Sequence, residues 1–267
     1  MKILHCINSL DIGGAEKTLV RLINSSNHKH RIITILDSQL LKSFLKKDVQ
    51  LLSIFPLNLK RILEIIKFIR DFDPDLFQGW MYHGDLTATL LGICFKKPIF
   101  WNIRHGKMSL KYSSKKTILL RNTLAIFSHI FPKKIISCSF CGVSVHQKIG
   151  YAFNKFHVIH NGIDIKKKSY KKYLNLLTKK DIKICSIGRN NPQKNRIYFI
   201  NIVKELSKSL SIESLILGKG VSRSPELKKF CNLSAIKPSP ASLLIIRPIF
   251  FARLSTLSRK LRELIGV

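Results

Sequence analysis

Ile3-Leu-His-Cys-Ile-Asn8 is a short apolar run, and Ser9-Leu-Asp-Ile-Gly13-Gly14-Ala-Glu16 follows it with two adjacent glycines. Over residues 16–24 apolar side chains then recur every three or four positions, and a second β-branched run occupies residues 31–36. Strand, turn, helix, strand is the βαβ unit of a parallel sheet. The glycine pair removes Cβ atoms where a backbone can approach a ligand, and the helix N-terminus beyond it offers free N–H groups and a positive dipole end to a phosphate. An ordinary tight turn contains the same residues. GxGxxG is absent, so the dinucleotide-binding fingerprint is not what the pair represents.

Outward from this unit the rhythm continues. Residues 49–55, 76–81, 99–104 and 135–139 read as strands, and residues 58–72, 85–95 and 117–131 as crossover helices. Residues 1–165 are therefore expected to form a doubly wound Rossmann-like domain. A basic linker, 166–180, leads to a second strand, turn, helix and strand at 182–187, 188–194, 197–206 and 215–217, the start of a second Rossmann-like domain over 181–231. Residues 232–267 lose the pattern: Lys237-Pro-Ser-Pro240 is followed by an apolar patch at 241–251 and a basic segment at 253–262. The fold class is α/β, with an incomplete second domain, and a sheet lacking its remaining strands is expected to leave an apolar edge open.

The chain has 267 residues, 45% of them hydrophobic, which suffices for a packed core. Its longest apolar runs are too short to cross a bilayer, and residues 1–16 lack the apolar region and cleavage site of a signal peptide; a cytoplasmic location is expected. Lys and Arg number 47 against 15 Asp and Glu, a formal charge of +32, which attracts polyanions or an anionic membrane surface. A lysine-rich composition with solvated charge is the plainer explanation of part of that excess. Six cysteines are scattered through the chain and are expected as buried free thiols. Cys138-Ser-Phe-Cys141 has CxxC spacing, but no second pair completes a metal site.

Three further segments carry chemistry. Gly188-Arg189-Asn-Asn-Pro-Gln-Lys194-Asn195 joins a strand end to a helix, the place where open α/β sheets bind ligands, and Arg189 with Lys194 suits two phosphates. Val158-Ile-His-Asn161-Gly-Ile-Asp164 enters an Asn-Gly turn at the seam between the domains. Gln78-Gly-Trp-Met-Tyr-His83 and Trp101-Asn-Ile-Arg104-His105-Gly106 each place a histidine just past a strand end, where imidazole and guanidinium suit sugar hydroxyls or phosphate.

Taken together, in this order and spacing, these segments and the Gly13-Gly14-Ala15-Glu16 turn resemble family 4 glycosyltransferases, most nearly the bacterial enzymes of surface polysaccharide and lipopolysaccharide assembly; the similarity spans about residues 2–221. The resemblance implies a GT-B architecture, two Rossmann-like domains facing a cleft, with metal-independent, retaining transfer and no cofactor beyond the nucleotide-sugar donor as substrate. It implies that Gly13, Gly14, Arg189 and Lys194 bind the donor diphosphate, that His105 is the catalytic histidine, and that His83, Arg104 and Asn161 lie on the acceptor and sugar side. The implied partners are a nucleotide sugar, a lipid-linked glycan acceptor and an anionic membrane surface, which places the protein at the inner face of the plasma membrane. No specific nucleic acid is implied.

The chain also departs from the pattern. Family members continue through a Ser-x-x-Glu-Gly segment and a Glu-x7-Glu pair that hold donor hydroxyls. Glu205 and Glu213 have the spacing but flank the first helix of the second unit, where it is coincidental. A truncated or frameshifted C-terminal half is the corresponding expectation, and it puts the activity of this chain in question. Two alternatives stand beside the enzyme: a non-catalytic acceptor-binding remnant, and a basic protein binding nucleic acid or another anionic surface through charge alone. Residues 241–251 with Arg253, Arg259, Lys260 and Arg262 suggest a segment lying in a membrane interface.

Overall fold

Strand β1 (Lys2–Ile7) is apolar on both faces because it lies in the middle of a parallel sheet. Leu4 and Cys6 pack with Ile33, Phe77, Trp101 and Ile103, while Ile7 packs on the other face with Leu19, Val20 and Ile23 of helix α1 (Gly14–Ser25). The computed structural model describes residues 1–46, 48–106, 114–162, 182–188, 190–210, 212–218, 220–221 and the backbone of 243–246. The chain divides into two units, Met1–Asp164 and Ile165–Val267. The basic linker, and all of the tail except 243–246, lie outside the described residues.

In the first unit β1 is joined by β2 (Lys29–Thr34), β3 (Gln50–Ser53), β4 (Leu76–Trp80), β5 (Ile99–Ile103), β6 (Lys134–Ser137) and β7 (Phe156–Val158). The seven strands are parallel in the order β3-β2-β1-β4-β5-β6-β7. The strand order reverses between β1 and β4, and ligands of such sheets bind outside the carboxyl ends at that switch point. Ile7 is paired there with Trp80.

Four more helices cover the sheet: α2 (Leu59–Phe72), α3 (Met81–Cys94), α4 (Lys115–Ser128) and α5 (Phe140–Ile149). Asn58, Ser114 and Ser139 cap α2, α4 and α5 by accepting from the backbone N–H groups of Arg61, Thr117 and Gly142. Helix α3 begins four residues before its expected start at Asp85. Its first turn contains a glycine and polar residues, which read as loop, yet Gly84, Asp85, Ala88, Thr89 and Gly92 form the buried side of the helix. A Cβ at Gly84 would run into the carbonyl of Cys6, and one at Gly79 into the backbone of Asp85. The turn from β4 into α3 is made in one residue, Met81, at φ 66, a left-handed conformation that a side chain tolerates only where the surroundings enforce it.

The second unit contains β8 (Ile182–Ile187), helix α6 (Arg196–Leu206) and β9 (Ile212–Leu217), with β8 and β9 parallel. Ile200, Val203, Ile212, Ile216 and Val221 are its buried apolar residues among those described. Beyond them the sequence pattern predicts no further strand, and an interfacial segment at 241–251 is only the lesser reading beside a misread or unstructured tail. Instead β10 (Leu243–Ile246) pairs antiparallel with β9. The correction has a simple cause: a β-branched apolar run gains main-chain hydrogen bonds at an open sheet edge that it cannot make at a membrane surface.

The expected burial of the cysteines also needs correction. Cys6 is buried, Cys138 is half-buried, and Cys94, Cys141 and Cys185 are exposed free thiols. A thiol in an apolar segment is buried only when it falls on the inward positions of the helix or strand. Among the described residues no helix is long and apolar enough to cross a membrane.

Gly84→Ala is expected to cost about 1–3 kcal/mol in urea denaturation, the usual range for overpacking. Gly14→Ala, where no atom lies within 4 Å of the added Cβ, is expected to leave stability close to that of the parent.

Candidate functional site

Five segments leave the carboxyl edge of the first sheet near the switch point, those following β1, β4, β5, β6 and β7. The loop after β1 is held firmly: Leu10 is buried, its N–H donates to the Ser38 carbonyl at 2.8 Å, and its carbonyl accepts from the N–H of Leu41 at 2.9 Å. Ser38 also hydrogen-bonds Asp11. Gly13 follows at φ −149 and ψ 175, an extended conformation open to any residue, so backbone geometry does not explain the glycine pair. Space explains it no better, because the only obstacle to a side chain is the movable end of Glu16. A Cβ at Gly13 would meet the carboxylate of Glu16, whereas the surroundings of Gly14 are open.

Arg104 directly follows β5 and ties two of the singled-out segments together. Its Nε–H donates to Asn102 Oδ1 at 2.8 Å and an Nη1–H donates to the side-chain oxygen of Asn161, 57 residues away in sequence. The guanidinium carbon lies 4.9 Å from the centre of the Trp80 ring, a cation–π arrangement. Burial pulls its pKa below the usual arginine range, yet the group stays cationic at any ordinary pH. No carboxylate pairs with it among the described residues. Trp80 is fixed in turn by its indole N–H, which donates to His5 Nδ1 at 3.2 Å. Burial, and secondarily neighbouring His30, push His5 down to about 3. It is therefore neutral, and its Nε2–H faces His30 Nδ1 at 3.0 Å.

His105 is half-buried and stacked on Tyr82, with ring centroids 5.8 Å apart and planes 24° from parallel. The Tyr82 hydroxyl lies 2.7 Å from His146 Nε2, and His146 Nδ1 lies 2.7 Å from the Gly142 carbonyl. A carbonyl only accepts, so Nδ1 carries the proton and Nε2 accepts from tyrosine. Burial lowers the pKa values of both His105 and His146. At neutral pH these imidazoles act as uncharged hydrogen-bonding groups. Beneath them Asp85 is fully buried: its Oδ1 accepts from the Asn102 N–H at 3.1 Å, and its Oδ2 has no partner among the described residues. Burial raises its pKa well above the ordinary carboxylate value and so favours the neutral acid.

The structure thus brings Arg104, Asn161 and His105 to one edge. Other predicted residues are dispersed. His83 lies exposed on the first turn of α3, and no hydrogen bond or ring contact joins its imidazole to Arg104 or His105 among the described interactions. In the second unit Gly188 directly follows β8 at φ 153, and Lys194 closes a 3-10 turn, Pro192–Lys194. Arg189 lies outside the described residues. Sequence reasoning assigned no role to Tyr82, Asp85, Asn102, His146 or Arg196. The first three stand within or beside quoted motifs, while His146 sits mid-helix and Arg196 at a helix start, where neither residue type signals a site. Among the described residues no group of three His, Cys, Asp or Glu side chains is placed to hold a metal.

No protein-family model matches the chain, and no curated protein does. Solved structures do. HepE of Anabaena in complex with UDP-glucose matches with a TM-score of 0.63 at 16% identity, over 86% of this chain and 64% of that one. Its complex with UDP gives 0.59 at 18% identity, over 77% and 58%. The lipopolysaccharide outer core galactosyltransferase WaaB in its apo form gives 0.56 at 14% identity, over 86% and 63%. The fold is GT-B-like. The chain spans about three fifths of the length of these structures.

Asp85 gives the site a pH signature. Its folded pKa is raised, so above about pH 4, where the unfolded carboxyl ionises, the folded state binds more protons and stability falls as pH rises, by about 1.4 kcal/mol per unit until the folded pKa is reached. Asp85→Asn is expected to remove this component. The variant should be the more stable protein at pH 7 in chemical denaturation, with the advantage shrinking as pH approaches 4.

Proposed function

We propose that this chain is a glycosyltransferase that moves a hexose-type sugar from a nucleotide-sugar donor to a lipid-linked glycan acceptor in surface polysaccharide assembly. The observation that carries the reading is the GT-B-like fold, which HepE displays with UDP-glucose bound, combined with a basic turn at the carboxyl end of β8. In this reading Arg189 and Lys194 bind the donor diphosphate and stabilise its charge as the glycosidic bond to it breaks, without a metal. Gly13 and Gly14, at the N-terminus of α1, are further phosphate-binding residues in this reading, as the resemblance implies. His105, uncharged and oriented by Tyr82, hydrogen-bonds the sugar, and transfer retains configuration, as the resemblance implies. Arg104, Asn161 and His83 serve the acceptor side, where a cation without a carboxylate partner suits a phosphate-bearing lipid carrier.

The proposal extends to an anionic membrane surface at the cytoplasmic face of the plasma membrane as a partner. Leu119, Ile126 and Ile130 are each more than two thirds exposed, at a spacing that aligns them on one side of α4 and its end, and Lys115 and Lys116 open the same helix. Apolar side chains entering a headgroup region beside lysines is the usual form of interfacial attachment.

Calorimetric titration with UDP and GDP at two salt concentrations tests the donor site. Saturable nucleotide binding is expected, and Arg189→Ala with Lys194→Ala should abolish most of it, since each charge-assisted contact contributes about 1.5–3 kcal/mol. Unchanged affinity in the double variant would sink the assignment. A protein acting through charge alone would bind nucleic acid with steep salt dependence and keep that affinity in the double variant. A folded chain that binds no nucleotide would instead be an acceptor-binding module.

For the surface, co-sedimentation with phosphatidylglycerol vesicles is expected, and Leu119→Glu with Ile126→Glu should weaken it by roughly tenfold or more, given about 1.5–3 kcal/mol per buried apolar side chain. UDP binding should be unaffected. Equal sedimentation of variant and parent would remove α4 from the membrane contact.

A further inference from the structure

Arg196, the first residue of α6, is an unusual occupant of its position. A cation in the first turn of a helix faces the positive end of the dipole. The residue is only 4% exposed, yet no carboxylate pairs with its guanidinium among the described residues. Its hydrogen bonds go to the Ser186 hydroxyl, to the Gly188 carbonyl at 2.5 Å and to the Leu217 carbonyl at 3.3 Å. The buried Nε–H has no partner among the described residues. Carbonyl dipoles offset part of the desolvation of this cation, but a buried charge without a counter-ion remains costly. A neutral side chain would bridge two strand ends at lower cost, so the charge itself requires an explanation.

The surroundings supply one. Gly188 directly follows β8 and Leu217 ends β9, at the edge where parallel α/β sheets bind ligands. A Cβ on Gly188 would lie 3.2 Å from Lys194 Cε and 3.4 Å from Arg196 Nη2, so two cationic side chains border a position that carries no side chain. The turn after β9 closes on the turn after β8, with Asn190 Cβ 3.6 Å from where a Cβ on Gly220 would stand, and Gly220 has φ 80.

We propose that Arg196 is a positioning residue of an anion site for the phosphate groups of a nucleoside diphosphate. Its guanidinium ties the ends of β8 and β9 together, which sets the turn carrying Gly188 and Lys194, and its uncompensated charge favours the phosphates. The identity of the ligand rests on the nucleotide-sugar reading. The anion site itself rests on Arg196, Lys194 and Gly188.

Titration of the full chain with UDP, inorganic pyrophosphate and uridine tests both levels. Arg196→Gln is expected to weaken UDP and pyrophosphate by about tenfold, the scale on which loss of an orienting group behind a site lowers affinity, and to leave uridine unchanged. Arg196→Lys, which keeps the charge and loses the fork, should fall between the two and keep the parent's salt dependence. A purely structural strut would lower uridine binding and melting temperature together and would not separate Lys from Gln. Parent-like UDP and pyrophosphate affinities in folded Arg196→Gln would overturn the proposal. Should that variant not fold, Arg196→Lys decides: undiminished affinity overturns it, and reduced affinity with a native circular dichroism spectrum supports it. Pyrophosphate binding without UDP binding, lost in Arg196→Gln, would keep the anion site and remove the nucleotide reading. Binding of neither anion to the parent chain would remove both.

Discussion

Helix α3 lies so close to β1 and β4 that positions 79 and 84 admit no Cβ, and much of the first unit's edge depends on that approach. Because the helix must begin directly under the carboxyl end of β4, the chain turns within one residue, and Met81 takes a positive φ to do so. Strain of this kind costs about 1–3 kcal/mol and persists only when surrounding packing enforces it. The consequence is placement. Tyr82 points to His146 and stacks on His105, and Asp85 is driven beneath β5, where it receives the Asn102 N–H. Asn102 then holds Arg104, and Arg104 holds Asn161.

The electrostatics of the two units, each taken by itself, follow one rule. Burial disfavours the negative charge of Asp85 near the first site, and the same desolvation lowers the pKa values of the histidines there. Each unit then retains a guanidinium at the carboxyl edge of its parallel strands, Arg104 in one and Arg196 in the other, and satisfies it with amide, hydroxyl or backbone oxygens and no carboxylate. Such oxygens orient a guanidinium without cancelling its charge. The charge therefore stays available to an anion at each edge.

Some of this was readable before any coordinates. The βαβ rhythm is a local property, written in the spacing of Ile3, Leu4, Ile7, Leu19, Val20 and Ile23, and it carried the α/β class. Arg104, His105 and Asn161 could be singled out for the same reason, as polar residues just after apolar strands. The start of α3 was not readable, because Gly84 and Asp85 look like loop residues until β1 supplies a surface to bury them. The strand at Leu243–Ile246 was equally hidden, since an apolar run shows its preference for a sheet only when an edge is present to pair with.

Sequence by itself therefore determined the secondary-structure period, the class of sheet and the residue types at the strand ends, all of which depend on interactions within a few positions along the chain. Tertiary structure decided which of those strand ends meet. Asn161 reaches Arg104 because β5, β6 and β7 are neighbours, Trp80 reaches His5 because β4 pairs with β1 across 75 residues, and Arg196 becomes buried only once β8 and β9 lie side by side. Strand order, burial and the desolvation of charges are properties of the packed sheet, and no local pattern of residues encodes them.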